Sequence, residues 1–170
     1  SAQIVSRIGI TMEIGLLGVL LTIIIGVPIG VVSATKQYSV LDYSVTTLST
    51  LFAAMPNFWL ALLCILLFSL KLGWLPATGF GTWKQLVLPV VTNALTSVAV
   101  VARMARSSML EVIRQDYIRT ARAKGLREGT VIRRHALKNS LIPVLTVIGM
   151  QMSMVMGGSV IIETIFSIPG

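Results

Sequence analysis

Charged residues are scarce in this chain. Only 12% of its 170 residues are Asp, Glu, Lys or Arg, whereas an ordinary soluble domain has about 25%. Hydrophobic residues make up 55% of the chain, so too few polar side chains remain to cover a globule in water. The composition therefore predicts that lipid surrounds most of the chain, as in an all-α integral membrane protein.

The stretches without charge are long enough to cross a membrane. They are residues 14–35, 43–70, 85–102 and 139–162. Crossing the hydrocarbon core takes about 20 apolar residues, so we expect a polytopic helical bundle with four spans. These spans are predicted at about residues 10–35, 43–70, 88–106 and 142–161. The second is too long for one straight span, and Pro56 is its expected breakpoint. The third is expected to start near Leu88, with Pro89 in its first turn.

Side chains that commonly bind metals or perform catalysis are also few. A single cysteine, Cys64, excludes an internal disulfide, and a single histidine, His135, has no cluster of carboxylates beside it. The sequence contains no Gly-x-x-x-x-Gly-Lys-Ser/Thr phosphate-binding loop. We therefore expect that this chain is not an enzyme and binds no metal or cofactor itself.

Most of the positive charge lies in one interval. Ten of the 14 Lys and Arg residues fall between Arg103 and Lys138. Two predicted spans separate Lys36 from this interval, so both lie on one side, which the positive-inside rule makes cytoplasmic. A basic chain can also bind nucleic acid, but the flanking spans leave this interval little room to enter a groove. We therefore expect no nucleic-acid partner.

The interval 107–138 has the pattern of a helix-turn-helix. Asp116 suits the start of a first short helix, since a carboxylate there favours the helix macrodipole. Gly125 fits just past the end of that helix, in the left-handed conformation that glycine adopts readily. Glu128 suits the start of a second helix. An ordinary solvated loop that only sets topology is the alternative interpretation of these basic residues.

Several ordered segments carry a family resemblance. They are residues 116–126 (DYIRTARAKGL), 134–139 (RHALKN), 142–144 (IPV), 56–61 (PNFWLA), 72–76 (LGWLP) and 163–170 (ETIFSIPG). The first three resemble the cytoplasmic EAA coupling loop of permease subunits in binding-protein-dependent ABC importers, in the dipeptide, oligopeptide and nickel group. The match to the general motif is imperfect, because Arg119 and Thr120 replace its Glu-Ala, His135 replaces an Ile and Lys138 replaces a Pro.

The resemblance implies a function, a location and partners. It implies a permease subunit in the prokaryotic plasma (inner) membrane that forms half of an importer's translocation path by alternating access. The implied partners are a second homologous permease, two ABC ATPase subunits that bind ATP and Mg, and an extracytoplasmic solute-binding protein. The group carries dipeptides, longer peptides, glutathione-like compounds and nickel, and di- or oligopeptides are the expected cargo. The implied ATPase-coupling residues are Tyr117, Arg119, Thr120, Ala121, Lys124, Gly125 and Leu126.

Polar and methionine residues in the second and last spans are candidates for the pore lining. They are Asn57, Met150, Gln151 and Met154. Polar groups at membrane depth tend to face a bundle interior or a water-filled cavity, although a methionine stripe is more often helix packing than a substrate path. A facilitative pore or secondary transporter is the alternative class, and a structural scaffold is a third. The resemblance implies a longer subunit with six spans, one of them before Ser1 and one after Gly170.

Overall fold

The chain folds into helices, as its composition predicts. The computed structural model describes residues 2–168, with side chains for residues 8–154 and 160–168, and this part contains no strand. The α-helices are α1 (Ala2–Leu21), α2 (Val27–Thr35), α3 (Val40–Ala54), α4 (Asn57–Cys64), α5 (Trp83–Ile113), α6 (Asp116–Ala123), α7 (Glu128–Thr130) and α8 (Leu137–Ile165). Three π-helical turns extend them without a break: Thr22–Gly26 joins α1 to α2, Ile65–Lys71 continues α4, and Val131–Ala136 joins α7 to α8.

Two of the continuous helices are long and apolar enough to cross a membrane. One is Ile8–Thr35, with 28 residues, and the other is Trp83–Ile113, with 31. The pair formed by α3 and the extended α4 passes the same test together, with a bend of 107° between its halves. Helix α8 includes residues 155–159, whose side chains lie outside the described ones, so the fourth span at 142–161 stays a prediction.

The predicted break in the second span occurs at Pro56. Met55 is extended, with φ −82° and ψ 133°, as a residue before proline is biased to be. Helix α4 then starts at Asn57, and the backbone amides of Trp59 and Leu60 both donate to the Pro56 carbonyl. The chain therefore stops one helix and starts another in the middle of an apolar stretch.

The third predicted span lies within a longer helix. Helix α5 begins at Trp83, because Thr82 and Gln85 form a capping box in which each side chain accepts from the other residue's backbone amide. Pro89 consequently lies inside the helix and not in its first turn. The helix also continues to Ile113, beyond the predicted end at Arg106. A charged side chain can mark the edge of the hydrocarbon, but it does not end a helix.

Helix α5 lies at the centre of the bundle, where it contacts α1, α2, α3, α4 and α8. The closest approach is to α2 at Gly30, where an added Cβ would collide with the Ala102 carbonyl and lie 2.7 Å from the Ala105 Cβ. Glycine lets helix backbones approach closely in membranes. Small residues therefore fix α2 against the central helix.

The bundle has two distinct ends. At the end that we call the hairpin end, α2 finishes, α3 starts, α5 finishes and the turn before α8 begins. At the opposite end, the loop end, residues 72–82 connect α4 to α5, and the Gly79 amide donates to the Phe166 carbonyl over 3.0 Å. Phe166 packs there with Ile14, Cys64 and Leu88 in one buried cluster. Pro169 and Gly170, which complete the last resemblance segment, lie outside the described residues.

Candidate functional site

A short exposed segment connects α5 to α8 at the hairpin end. We call residues 114–130 the hairpin. Only two residues separate α5 from α6, and Gly125 follows α6 with φ +77°, the left-handed conformation predicted from the sequence. The predicted second helix begins at Glu128 but runs on through the π-helical turn into α8. The hairpin is therefore covalently continuous with the central helix on one side and with the last long helix on the other.

Two side chains anchor α6 beneath the bundle. Within the hairpin only Ile118 and Ala121 are buried, at 0% and 6% exposure. They lie three residues apart and so share one helix face. They pack in a cluster with Ala34 of α2, Met109 of α5 and Val131 of the turn before α8. A displacement of α6 would therefore move the end of α2, the end of α5 and the turn before α8.

The predicted coupling residues lie on both sides of α6. Six of the seven are exposed: Tyr117, Arg119, Thr120, Lys124, Gly125 and Leu126. The large apolar surfaces among them are Tyr117, 42% exposed, and Leu126, 40% exposed. Ala121 instead faces inward and acts as an anchor. The structure thus exposes six of these residues and buries Ala121 against the bundle.

An ion pair spans the glycine turn. The Arg122 guanidinium donates to the Glu128 carboxylate at 2.6 Å from Nη2 and 3.1 Å from Nε. The hydrogen bond from Arg122 holds the pKa of Glu128 below its usual value, and the same bond raises the pKa of Arg122. Asn139 of α8 also donates to the Tyr117 hydroxyl over 2.8 Å. These bonds fix the shape of the turn without burying it.

The sequence analysis missed a buried ion pair at the hairpin end. Asp42, 2% exposed, accepts from Arg106 Nε at 2.6 Å and from Arg106 Nη2 at 2.9 Å. Its carboxylate also accepts from the Ser33 hydroxyl and from the Tyr38 amide. Arg106 is therefore a structural partner of Asp42 and not a free basic residue of the loop. The available signal was that Asp42 is the one carboxylate between two long apolar stretches.

A cavity with polar walls lies between α4, α5 and α8. It has a volume of about 310 Å³ and is lined by Asn57, Asn93, Thr96, Ser97, Val100, Gln151 and Met154. Three of the four predicted pore-lining residues are therefore together. The fourth, Met150, is 64% exposed and is not part of this lining. Thr96 donates from its hydroxyl to Asn57 Oδ1 over 2.8 Å, which joins α5 to the broken helix.

The sequence analysis did not single out the α5 side of this cavity. Asn93, Thr96 and Ser97 are polar residues at helical spacing within an otherwise apolar span, which is the signal that could have found them. As for metal ligands, the part of the chain that the structure describes contains no group of three or more His, Cys, Asp or Glu side chains.

Comparison with known proteins identifies the family. Residues 26–170 match the family described as "Binding-protein-dependent transport system inner membrane component". The chain belongs to this family. The matched region begins at the end of the first π-helical turn and includes the broken helix, α5, the hairpin and α8. The chain is therefore part of a multi-pass membrane transport component.

The curated relatives are named as peptide permeases. The whole chain is 41% identical to the oligopeptide transport system permease protein AppB of Bacillus subtilis (strain 168), covering 57% of that protein. Over 94% of the chain, identity is 44% to the dipeptide transport system permease protein DppB of Alkalihalophilus pseudofirmus and 42% to the di/tripeptide transport system permease protein DppB of Pseudomonas aeruginosa. The chain covers 56% of each of these two, so it spans little more than half the length of these relatives.

Proposed function

We propose that this chain is part of a permease subunit that forms half of the translocation path of an ATP-driven importer for di- or oligopeptides. The hairpin is the observation that carries this proposal. It presents six exposed candidate contact residues while Ile118 and Ala121 bind it to the ends of three helices. Such a segment suits the transfer of movement from an ATPase to a membrane bundle. The peptide cargo is supported by the names of the relatives.

The proposed mechanism is rigid-body coupling. Closure of the ATPases on ATP pulls the docked hairpin, and the buried anchors pass that displacement to α2, α5 and α8. Alternating access follows when these helices tilt relative to the second permease. The cytoplasmic location of the hairpin is supported by the ten basic residues between Arg103 and Lys138.

The proposed partners complete the importer. They are a second homologous permease, two ABC ATPase subunits and an extracytoplasmic solute-binding protein. ATP hydrolysis is assigned to the ATPases, since this sequence has no phosphate-binding loop of the type that they use. Within this chain, we assign the pore lining to Asn57, Gln151 and Met154, which share the cavity, and to the neighbouring Met150.

Affinity purification tests the proposal. The tagged full-length subunit, extracted in mild detergent, is expected to bring down an ATPase and a second permease. Gly125→Asp is expected to remove the ATPase and keep the second permease, because it places a negatively charged side chain in the docking turn. Gly73→Asp is the matched control, since Gly73 also has a positive φ, of +63°, with open space at its Cβ, but lies at the loop end. A subunit that purifies alone, or an ATPase that stays bound after Gly125→Asp, would overturn the proposal.

A further inference from the structure

Helix α5 carries polar residues along one face for much of its length. They are Asn93, Thr96, Ser97, Arg103 and Ser107, with Val100 between them. Their spacings of three and four residues place them on one side of the helix. From Asn93 to Ser107 this face extends roughly 21 Å at 1.5 Å per residue. We call it the polar face of α5.

Two cavities lie along the polar face and share Val100 in their linings. The first is the 310 Å³ cavity beside the broken helix. The second has a volume of about 580 Å³ and lies toward the hairpin end, between Thr46 and Thr50 of α3, Arg103 and Ser107 of α5, and Val147 of α8. Val100 lines both cavities. The polar face therefore borders one cavity or the other from Asn93 to Ser107.

The broken helix gives independent reason to expect water or polar cargo at this point. The break at Pro56 leaves backbone groups without helical partners, and membranes tolerate this only inside protein or along a polar cavity. Asn57, the first residue after the break, lines the first cavity and accepts the Thr96 hydrogen bond. Thr46 and Asn93, one in each lining, hold buried polar atoms with no hydrogen-bond partner in the described part of the chain. The site therefore has unused hydrogen-bonding capacity.

The chemical groups that line the two cavities indicate which kind of cargo they can bind. The polar side chains of the first cavity are amides and hydroxyls, which both donate and accept hydrogen bonds. A peptide backbone needs donors for its carbonyls and acceptors for its amides in alternation. A metal ion such as nickel favours imidazole ligands, and neither lining includes a histidine, a cysteine or a carboxylate. Positive charge is found only toward the hairpin end, at Arg103 and Arg106.

We infer that the polar face of α5 is the substrate-contacting wall of the translocation path, with Asn93, Thr96 and Ser97 binding the backbone amide groups of a peptide in transit. This inference rests on the proposed importer function and specifies where and how its cargo is held. Asn57 and Gln151 complete the contact from the facing helices. The wall recognises the peptide bond, which all peptides share, so it accepts cargo of varied sequence.

Cysteine labelling tests where the path runs. In the full-length complex with Cys64→Ala, Ser97→Cys and Val100→Cys are expected to react with a membrane-impermeant thiosulfonate reagent. Val98→Cys is the matched control for Val100→Cys, because Val98 is equally half-buried but its carbonyl lies 3.2 Å from the Cβ position of Gly26, on the α2 side. A transported dipeptide, supplied with the binding protein and ATP, is expected to slow labelling at residue 97 at least threefold.

Paired valine substitutions test the hydrogen bonding. Thr96→Val is expected to reduce dipeptide uptake by about fivefold, since it removes a hydroxyl from the wall. Thr92→Val is the control, one turn earlier in α5, because Thr92 is fully buried and lines neither cavity. Thr92→Val is expected to stay within about twofold of the parent. Equal effects of the two substitutions in complexes that assemble equally would overturn the assignment of Thr96.

The outcomes separate this inference from the proposed function. A complex that contains its ATPase and takes up dipeptide, but shows no labelling at residues 97 and 100, would overturn the inference and leave the importer function standing. Labelling that peptide does not slow would overturn substrate contact at this wall. A subunit with neither ATPase nor uptake would overturn the proposed function itself.

Discussion

Two ion pairs at the hairpin end have nearly the same geometry and very different surroundings. Arg106–Asp42 and Arg122–Glu128 each include an N–O distance of 2.6 Å and a second hydrogen bond. Asp42 and Arg106 have side chains that are 2% and 24% exposed, whereas the Glu128 and Arg122 side chains are 59% and 38% exposed. Removing one partner of a buried pair leaves an uncompensated charge and is costly. Exposed pairs contribute little, because water replaces the lost partner.

The difference in exposure between the two ion pairs corresponds to what each pair connects. Asp42 and Arg106 are 64 residues apart and join the start of α3 to the central helix. Arg122 and Glu128 are six residues apart and close one turn. The first region is thus a buried junction of the bundle, and the second is an exposed turn held by its own local bonds. Under the proposed coupling function, the docking segment must be exposed to its partner, and the helices that receive its motion must be held firmly together.

The largest effect is expected when the buried pair is broken. Arg106→Gln leaves the Asp42 carboxylate buried without its cation, and we expect a loss of roughly 3–5 kcal/mol in folding stability. The measurement is the thermal unfolding midpoint and yield of the detergent-solubilised full-length complex. Adding Asp42→Asn to Arg106→Gln is expected to recover part of the loss. Arg114→Gln, at an exposed arginine that ends α5, is the control, and an equal effect of the two single changes would contradict the comparison.

The second-largest loss of stability is expected from a steric change where α2 contacts α5. Gly30→Ala places a Cβ against the backbone of α5, and we expect it to cost about 1–3 kcal/mol through overpacking. Gly9→Ala, in the same continuous helix but with nothing within 4 Å of its Cβ position, should be neutral or slightly stabilising, because alanine favours helices. Unfolding midpoints of the two variants provide the measurement. A neutral Gly30→Ala would mean that α2 and α5 are not in rigid contact.

The hairpin should respond to backbone conformation more than to charge. Gly125→Ala is expected to cost roughly 1–2 kcal/mol locally, because its φ of +77° suits only glycine without strain. We expect reduced peptide-stimulated ATPase activity in the assembled importer with an unchanged unfolding midpoint. Gly125→Asn should restore part of the activity, since asparagine tolerates this conformation. Gly129→Ala is the matched control, because Gly129 has open space and lies in α7. Loss of activity in both alanine variants would refute a conformational cause.

The smallest effect is expected for the exposed pair. Arg122→Gln should cost less than about 1 kcal/mol. Because the pKa of Glu128 is lowered on folding, the pair contributes stability above the ordinary glutamate pKa of about 4.5 and loses it as pH falls through the lowered folded pKa. Near pH 7 the contribution is fully present, so the unfolding midpoint should show no pH dependence from this pair between pH 6 and 8. Hydrogen exchange of the turn amides, compared between the parent and the Arg122→Gln variant, measures the stability that the pair contributes.

Local sequence patterns predicted the helices and turns of the fold, but they did not predict contacts between residues that are distant in sequence. Hydropathy and proline chemistry located the broken helix at Pro56, and glycine chemistry located the turn at Gly125, because both depend on adjacent residues. The pairing of Asp42 with Arg106 depends on how three helices pack, which no spacing rule encodes. The early start of α5 was readable from Thr82 and Gln85, whose capping-box spacing was overlooked. At the candidate path, the sequence pattern identified polar residues of the broken and last helices, and the helical spacing of Asn93, Thr96 and Ser97 could also have indicated the α5 side, but only the structure shows that these residues share one cavity.

The exposed surface of α6 has a consequence for how this family diversifies. Within the hairpin, only Ile118 and Ala121 are buried against the rest of the chain, so under the proposed coupling function the exposed contact positions are constrained largely by the docked partner. Substitutions at these exposed positions should correlate with substitutions in the docked partner protein and not with substitutions elsewhere in this subunit. Related importers would then lose the ability to bind each other's ATPases through sequence drift at a few surface positions, while the helix bundle stays unchanged.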